Sequence, residues 1–415
     1  MTVKRRVAIT GLGVLSPLGN RFDELFTQLI AGRSGIRRLT TRRAERLRSP
    51  IGAPVDFDEA AHFDAVRCRM LDRVSQLALV AAGQAIADAG LDFAVEVGER
   101  CGVSVGSSMG GVTTTDEAYY SLYGEGSDRV QPLNILAAMS NAPAAWIGID
   151  YGLSGPNLTY STACSSSAVA LGEAARRVQS GDVDVMIAGG AEAPLTFGVL
   201  RAWEAMRTLA VTDLQDPSTS CRPFSKNRSG LVIGEGAAFV VLEEWEHALA
   251  RGADIRAEFS GYGLTSDITH ITRPTIEGQA NAMRAALSSA GMNPESIDYI
   301  NAHGTATLQN DAVETAAIKA VFGERAYVIP VSSTKSMHGH LLGAAGALEF
   351  VISIGCLTRK IVPPTRHLTA VDPACDLDYV AEGARVGTEL RAVMSNSFAF
   401  GGTNAVLIAA TAERH

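Results

Sequence analysis

The stretch Asn157–Asp182, NLTYSTACSSSAVALGEAARRVQSGD, decides the fold. A short β-prone run ends at Thr162, and a turn of small residues then carries Cys164. Ala168, Val169, Leu171, Ala174, Ala175 and Val178 follow at helical spacing until Gly181 stops the pattern. A strand therefore hands over to a helix at the thiol. The first unpaired backbone N–H groups and the positive end of the helix dipole favour thiolate over thiol there, which predicts a nucleophile. On this stretch alone a packed core cysteine is the alternative, because free cysteines are among the most buried residues.

A chain of 415 residues is long enough for two domains or two fused halves. With 47% hydrophobic and 19% charged residues it reads as a globular α/β protein, not a disordered or fibrous one. The formal charge of −8 does not suggest a nucleic-acid partner, while a local basic patch could still meet an acidic protein. Cys68, Cys101, Cys164, Cys221, Cys356 and Cys375 show no CxxC spacing, so neither a zinc knuckle nor a disulfide framework is expected, and a reducing, cytoplasmic setting fits. The opening MTVKRRVAITGLGVLSPLG is basic then apolar, but Gly11, Gly13 and Pro17 break the run, which predicts a core strand and not a signal peptide. Glu349 interrupts the apolar run Leu341–Leu357, which predicts a buried helix and no membrane association.

Working outward, Val7–Leu15 reads as a strand, Phe22–Ala31 as a helix, and Leu71–Gly90 as an Ala-rich helix closed by glycine. Cys101–Val105, Val183–Ala188 and Ala237–Leu242 are continuous apolar strands of the kind covered on both faces. The segment Arg33–Arg48, with seven arginines, reads as a solvated loop or helix face, with a docking site as the alternative. Thr208–Gly236 is long and irregular, as functional loops often are. An internal echo then organises the chain. Ile9–Gly13 resembles Phe259–Gly263 at an offset of 250, and Ser161–Cys164 with its helix resembles Ser333–Ser336 with its helix at an offset of 172. The expectation is a duplicated α/β unit, with halves at 1–254 and 255–415.

Four sites flanked by small residues end apolar strands: Cys164, the NAHGTAT loop at His303, the KSMHGHLLGAAG turn at Lys335 and His340, and the C-terminal NSFAFGGTN loop. His338-Gly339-His340 lacks a third ligand at convincing spacing, so no metal is expected. In this order the four sites resemble the elongating Cys-His-His class of β-ketoacyl-acyl-carrier-protein synthases, within the thiolase superfamily. The resemblance runs from VAITGLGVLSPLG to FGGTN, essentially the whole chain. It implies thiolase-like halves in α-β-α-β-α layers and a decarboxylative Claisen condensation through a Cys-bound acyl chain.

By that resemblance Cys164 takes the acyl group, and the N–H groups of Cys164 and Phe400 form the oxyanion hole. His303 and His340 hold the enolate oxygen, while Lys335, Asp311, Glu314 and Glu349 form a mutual buried network that fixes the histidine tautomers. Thr305 and Thr307 steady the pantetheine arm, Phe400 gates the acyl tunnel, and Phe398 is grouped with the substrate-binding residues. Met109 stands at the floor of the acyl pocket. Arg67, Arg69 and Arg207 match the patch that docks the acidic carrier protein. No cofactor is implied beyond the carrier's phosphopantetheine. The implied assembly is a homodimer, or a heterodimer with a chain-length-factor-like subunit.

Two departures stand out. Cys164-Ser165-Ser166-Ser167 resembles polyketide condensing enzymes, so the active ketosynthase subunit of a type II polyketide system is the alternative to fatty-acid elongation. Ala399 replaces the usual glycine before the gating phenylalanine, which would strain the gate if that position needs positive φ. A non-condensing chain-length subunit would lack Cys164. A degradative thiolase would place a second cysteine in a CxG setting, whereas Cys375 is followed by Asp376-Leu377.

Overall fold

A computed structural model describes residues 4–93 and 98–412, so the first three residues of the basic N-terminal stretch lie outside the described residues. Five strands of the first half are β1 (Val7–Leu15), β2 (Cys101–Gly106), β3 (Asn157–Tyr160), β4 (Val185–Glu192) and β5 (Gly236–Glu244). Five of the second are β6 (Ala257–Ser266), β7 (Tyr299–Asn301), β8 (Val331–Ser332), β9 (Ala392–Phe398) and β10 (Thr403–Ala410). They run side by side as β3-β2-β4-β5-β1 and then β6-β10-β9-β7-β8, so the second set repeats the order of the first in mirror sequence. In both, the three outer strands are parallel and the inner joins are antiparallel.

The two sets meet at β1 and β6, where Ala8 faces Glu258 and Ile9 faces Ala257. Glu258 is also the residue 250 positions after Ala8, so a local twofold passes through this pair. Arg6 reaches across the seam to both carboxylate oxygens of Glu258, at 3.1 and 2.7 Å.

The repeated glycines have a packing reason. A Cβ on Gly13 would lie 1.9 Å from the carbonyl oxygen of Ala81, and one on Gly263 would lie 2.1 Å from that of Ala282. Each half thus presses a helix, Arg73–Ala89 or Ile276–Ala290, directly onto a strand backbone. Asp72 and Gly90 cap the first of these, and Thr275 and Gly291 cap the second.

Five layers result. Arg73–Ala89 and Ala142–Tyr151 cover the outer face of the first sheet half, and Ile276–Ala290 with Leu308–Phe322 cover that of the second. Between the two sheet halves lie the helices Ser166–Ser180 and Ala345–Arg359, within the largest apolar cluster. This position explains their composition. Every residue from Ala345 to Leu357 is buried, Glu349 included, so the apolar run is a core helix. The central helices cross closely enough that a Cβ on Gly346 would meet that of Ala168 at 2.9 Å.

One part of the echo needs correction. Ser166–Ser180 is preceded by a single 3-10 turn, Ala163–Ser165, and Ala345–Arg359 by another, Leu342–Ala344. Both turns open on a non-glycine residue of positive φ, Ala163 at 51° and Leu342 at 47°. The counterpart of Cys164 is therefore Gly343, at an offset of 179, and not Ser336. The 172 offset holds up to the strand ends Tyr160 and Ser332. Seven extra residues then enter the second half, in the stretch that carries Lys335, His338 and His340.

Candidate active site

The 3-10 turn delivers Cys164 to the end of the central layer, and the second half delivers both imidazoles. His303 follows β7, and Glu314 on the helix Leu308–Phe322 grips the backbone there, accepting the N–H groups of His303 and Gly304 at 2.8 Å each. His340 is held by its own N–H to the carbonyl of Val232 at 2.7 Å. Cys164 Sγ and one ring nitrogen from each histidine lie within 4.8 Å of one another, and all three residues are buried. The rings stand edge to face at 5.4 Å between centroids.

Hydrogen bonding decides the His340 tautomer. The Leu342 N–H donates to His340 Nδ1 at 3.2 Å, so the ring proton sits on Nε2. Nε2 has no protein partner, and it is a buried donor waiting for an acceptor. Burial, then the Lys335 ammonium, holds both His303 and His340 far below the ordinary imidazole range, and both are neutral. Lys335 itself is fully buried and paired with fully buried Glu349. Burial pushes the Glu349 carboxyl up, and Lys335 pulls it back.

Three expectations change here. The thiol at the helix start is not a resting thiolate: burial pushes Cys164 up to about 11 against the downward pull of Lys335 and the N–H groups of Phe400 and Cys164 itself. Desolvation exceeds the dipole because the turn is buried in the central layer, with Cys164 open only to the cavity. The acidic residues form two groups: Asn310 Nδ2 links Asp311 to Glu314 at 3.4 Å each, while Lys335 pairs with Glu349, and neither group is hydrogen-bonded to the ring nitrogens of His303 or His340 among the described residues. Glu349 pairs with Lys335, Glu314 holds backbone N–H groups and Asn396, and Asp311 accepts the Phe224 N–H at 2.8 Å beside Arg228. Burial pushes Asp311 up to about 7. Finally, Ala399 is not at positive φ: Gly401 and Gly402, at 87° and 84°, make the turn, so alanine brings no strain.

The three central residues line a cavity of about 300 Å³. Thr305 and Thr307 line it with their hydroxyls 2.9 Å apart, and Thr307 also caps the helix Leu308–Phe322. Phe398 stands edge-on to His303 at 6.0 Å, and Phe400 stacks on Trp203 at 6.0 Å. Arg207 lines the same cavity. Met109 does not; it lines a neighbouring cavity that shares Trp203 and Met206 with the first. Arg67 and Arg69 are absent from the lining, and Arg67 is committed to Asp150 and the Trp146 ring.

Sequence reading missed Glu192, whose buried carboxylate accepts the N–H groups of Ser108, Met109 and Gly343 at 2.7, 3.1 and 3.0 Å. Its signal was an acid at the end of an all-apolar strand. Trp203, Phe224 and Arg228 were missed too, although the last two lie in the irregular section flagged as functional. A divalent cation is disfavoured among Cys164, His303 and His340, because His340 offers a proton and the Lys335 ammonium repels positive charge.

Fold and site define a thiolase-like protein with a cysteine–histidine–histidine centre. The model of the β-ketoacyl synthase N-terminal domain matches residues 4–248, and that of the C-terminal domain matches 256–369. The chain belongs to the β-ketoacyl synthase family. It is 44% identical over 403 residues to nodulation protein E of Rhizobium meliloti, covering 97% of this chain and 98% of that protein. It is also 44% identical over 408 residues to 3-oxoacyl-[acyl-carrier-protein] synthase 2 of Coxiella burnetii, covering 98% of each. Among solved structures, the ishigamide ketosynthase/chain length factor superposes with a TM-score of 0.93 at 34% identity, over 99% of this chain and 100% of that one.

Proposed function

We propose that this protein condenses a Cys164-bound acyl chain with malonyl-carrier protein, giving β-ketoacyl-carrier protein and CO₂ in fatty-acid elongation. The carrying observation is that Cys164 and two neutral imidazoles share one buried pocket. Cys164 Sγ attacks the acyl thioester, and the carrier's thiol departs with the thiol proton. The N–H groups of Cys164 and Phe400 receive the oxyanion. Malonyl thioester then loses CO₂, and the electron pair moves to an enolate whose oxygen accepts from His340 Nε2–H and from His303. Neutral donors stabilise that charge without surrendering a proton to the carbanion. The carbanion attacks the acyl-cysteine carbonyl, and the Cys164 thiolate leaves and takes one proton from solvent, the proton that loss of CO₂ from a carboxylate consumes overall. Both substrates arrive on phosphopantetheine, and no resident cofactor takes part.

Cys164→Ala should abolish loading of radiolabelled acyl groups while the fold survives. His303→Ala and His340→Ala should still acylate but fail to decarboxylate malonyl-carrier protein. Lost loading with retained decarboxylation would overturn the assigned roles. A second reading, the ketosynthase half of a type II polyketide system paired with a chain-length-factor-like subunit, is favoured by the Cys-Ser-Ser-Ser turn and by likeness to the ishigamide pair. Intact-mass analysis against carrier proteins bearing saturated or polyunsaturated chains, with and without a second subunit, separates the two.

A further inference from the structure

Arg228 stands behind the wall of the catalytic cavity and takes no part in the chemistry above. Its side chain is 4% exposed, a degree of burial that arginine reaches only when its charge and donors are matched. Nε donates to the Thr307 carbonyl at 3.0 Å and Nη2 to the Leu308 carbonyl at 3.1 Å. Nη1 donates to the Ser225 carbonyl at 3.0 Å and to Asp372, which balances the charge. One guanidinium thus ties together three segments, 222–230, 305–308 and 369–372.

These bonds do not serve the helix that they touch. Thr307 caps the helix Leu308–Phe322, so its carbonyl already accepts the first intrahelical bond. A cation at a helix N-terminus also opposes the helix dipole. What the guanidinium does is fix where that helix begins, and with it the loop that leads in. Gly304 and Ala306 in this loop have φ of 36° and 64°. Alanine persists in the left-handed region only where its surroundings over-determine it. The upstream anchor is Glu314, on the His303 and Gly304 amides. Downstream, the Gly230 N–H donates to the Ala306 carbonyl at 3.0 Å, and Arg228 takes the next two carbonyls. Between the anchors lie the paired hydroxyls of Thr305 and Thr307, at the cavity wall.

We infer that Arg228 is a positioning residue for the thioester arm: it holds the backbone of Thr307 and Leu308 so that the two threonine hydroxyls meet the amide-bearing arm that delivers the acyl group. The inference rests on the carrier-dependent function above. The loop is divided accordingly. Glu314 sets His303 and acts on the chemistry, whereas Arg228 sets the hydroxyl pair and acts on binding.

Removing Arg228 alone leaves the Asp372 charge unpaired, so the test is the double variant Arg228→Gln/Asp372→Asn, which removes both charges at similar volume. Loading of Cys164 from acyl-pantetheine is followed by intact mass, and alkylation of Cys164 by iodoacetamide reports the thiol without the arm. The expected result is a KM for acyl-pantetheine raised about tenfold, a maximal loading rate within about threefold, and an unchanged alkylation rate. Asp372→Asn alone keeps the three carbonyl bonds and should shift KM by less than about twofold. Thr305→Val should raise KM by itself, and adding the Arg228 pair to it should raise KM less than about twofold more, because both act through one contact. An unchanged KM in the Arg228 pair, an unchanged KM in Thr305→Val, or full additivity of the two overturns the positioning role. So does alkylation slowed as much as loading, which marks a general loosening of the site. Native protein that takes acyl groups from neither acyl-pantetheine nor acyl-carrier protein would instead sink the condensing function.

Discussion

Alkylation of Cys164 by iodoacetamide across pH tests the electrostatics of the site most directly. With the thiol pushed up to about 11 by burial, roughly one molecule in 10⁴ carries a thiolate at neutral pH. An unperturbed thiol near 8.5 is roughly 3% ionised there, so Cys164 should react on the order of 300-fold more slowly than free cysteine. Its rate should rise about tenfold per pH unit from 7 to 10 without levelling off. Lys335 holds the thiol down, so Lys335→Met should slow alkylation further at every pH. That variant alone strands Glu349 in the core, at a cost of about 3–5 kcal/mol, so Lys335→Met/Glu349→Gln is the usable form. Cys68 is the one half-buried cysteine, and a Cys164→Ser control subtracts its labelling. A plateau in rate near neutrality would refute the reasoning, because it would mean a resting thiolate paired with an imidazolium and not a neutral triad.

Gly13→Ala and Gly263→Ala each drive a Cβ to about 2 Å from a helix carbonyl, and each should destabilise by at least about 1–3 kcal/mol, read as a fall in Tm. Glu314→Ala strips the acceptor from two buried amides, each worth about 1–3 kcal/mol. Decarboxylation should fall more than acyl loading, with Glu314→Gln recovering part of it. Met109→Ala should lengthen, and Met109→Trp shorten, the acyl chains accepted from a carrier series, read by intact mass; identical chain profiles would remove Met109 from the acyl path.

How much the sequence disclosed depended on whether the information was local. The strand Val7–Leu15, the glycine-closed helix ending at Gly90, and the core nature of the Leu341–Leu357 run all followed from periodicity and breakers, because each is marked by residues within its own segment. The Ile9–Gly13 echo was legible because glycine is the only residue that tolerates a helix pressed on a strand. The Cys164 and Lys335 turns were paired seven residues out of step, because Ser-Thr recurs by identity while the equivalent turn, at Leu342, shares only its φ. The ionisation of Cys164 was misjudged for a related reason. A helix dipole can be inferred from one segment, but desolvation depends on both sheets closing around it.

The same duplication explains why the chemistry is divided between the halves. Gly106 faces Tyr160 in the first half as Asn301 faces Ser332 in the second, so Ser108 and His303 occupy equivalent positions, two residues past the end of the second strand. In each half a buried carboxylate grips the paired amides at that point, Glu192 on Ser108 and Met109, Glu314 on His303 and Gly304. At the equivalent turns one half presents Cys164 and the other Gly343, whose missing side chain leaves room for Ser108 and Glu192. A symmetric ancestor of this geometry would offer two identical groups facing one another, which suits neither acyl transfer nor enolate stabilisation. The proposed condensation needs unlike groups: a sulfur from the first half and neutral donors from the second. The seven-residue insertion supplies that asymmetry, because it brings Lys335 and His340 into the central layer opposite Cys164 without disturbing the helix that follows. Glu192 ties the two halves together by holding Gly343 of one turn and the Ser108 loop of the other. Glu192→Gln should therefore impair acyl loading and decarboxylation together, whereas Glu314→Gln acts mainly on decarboxylation. Equal profiles for the two variants would show that the halves do not divide the work in this way.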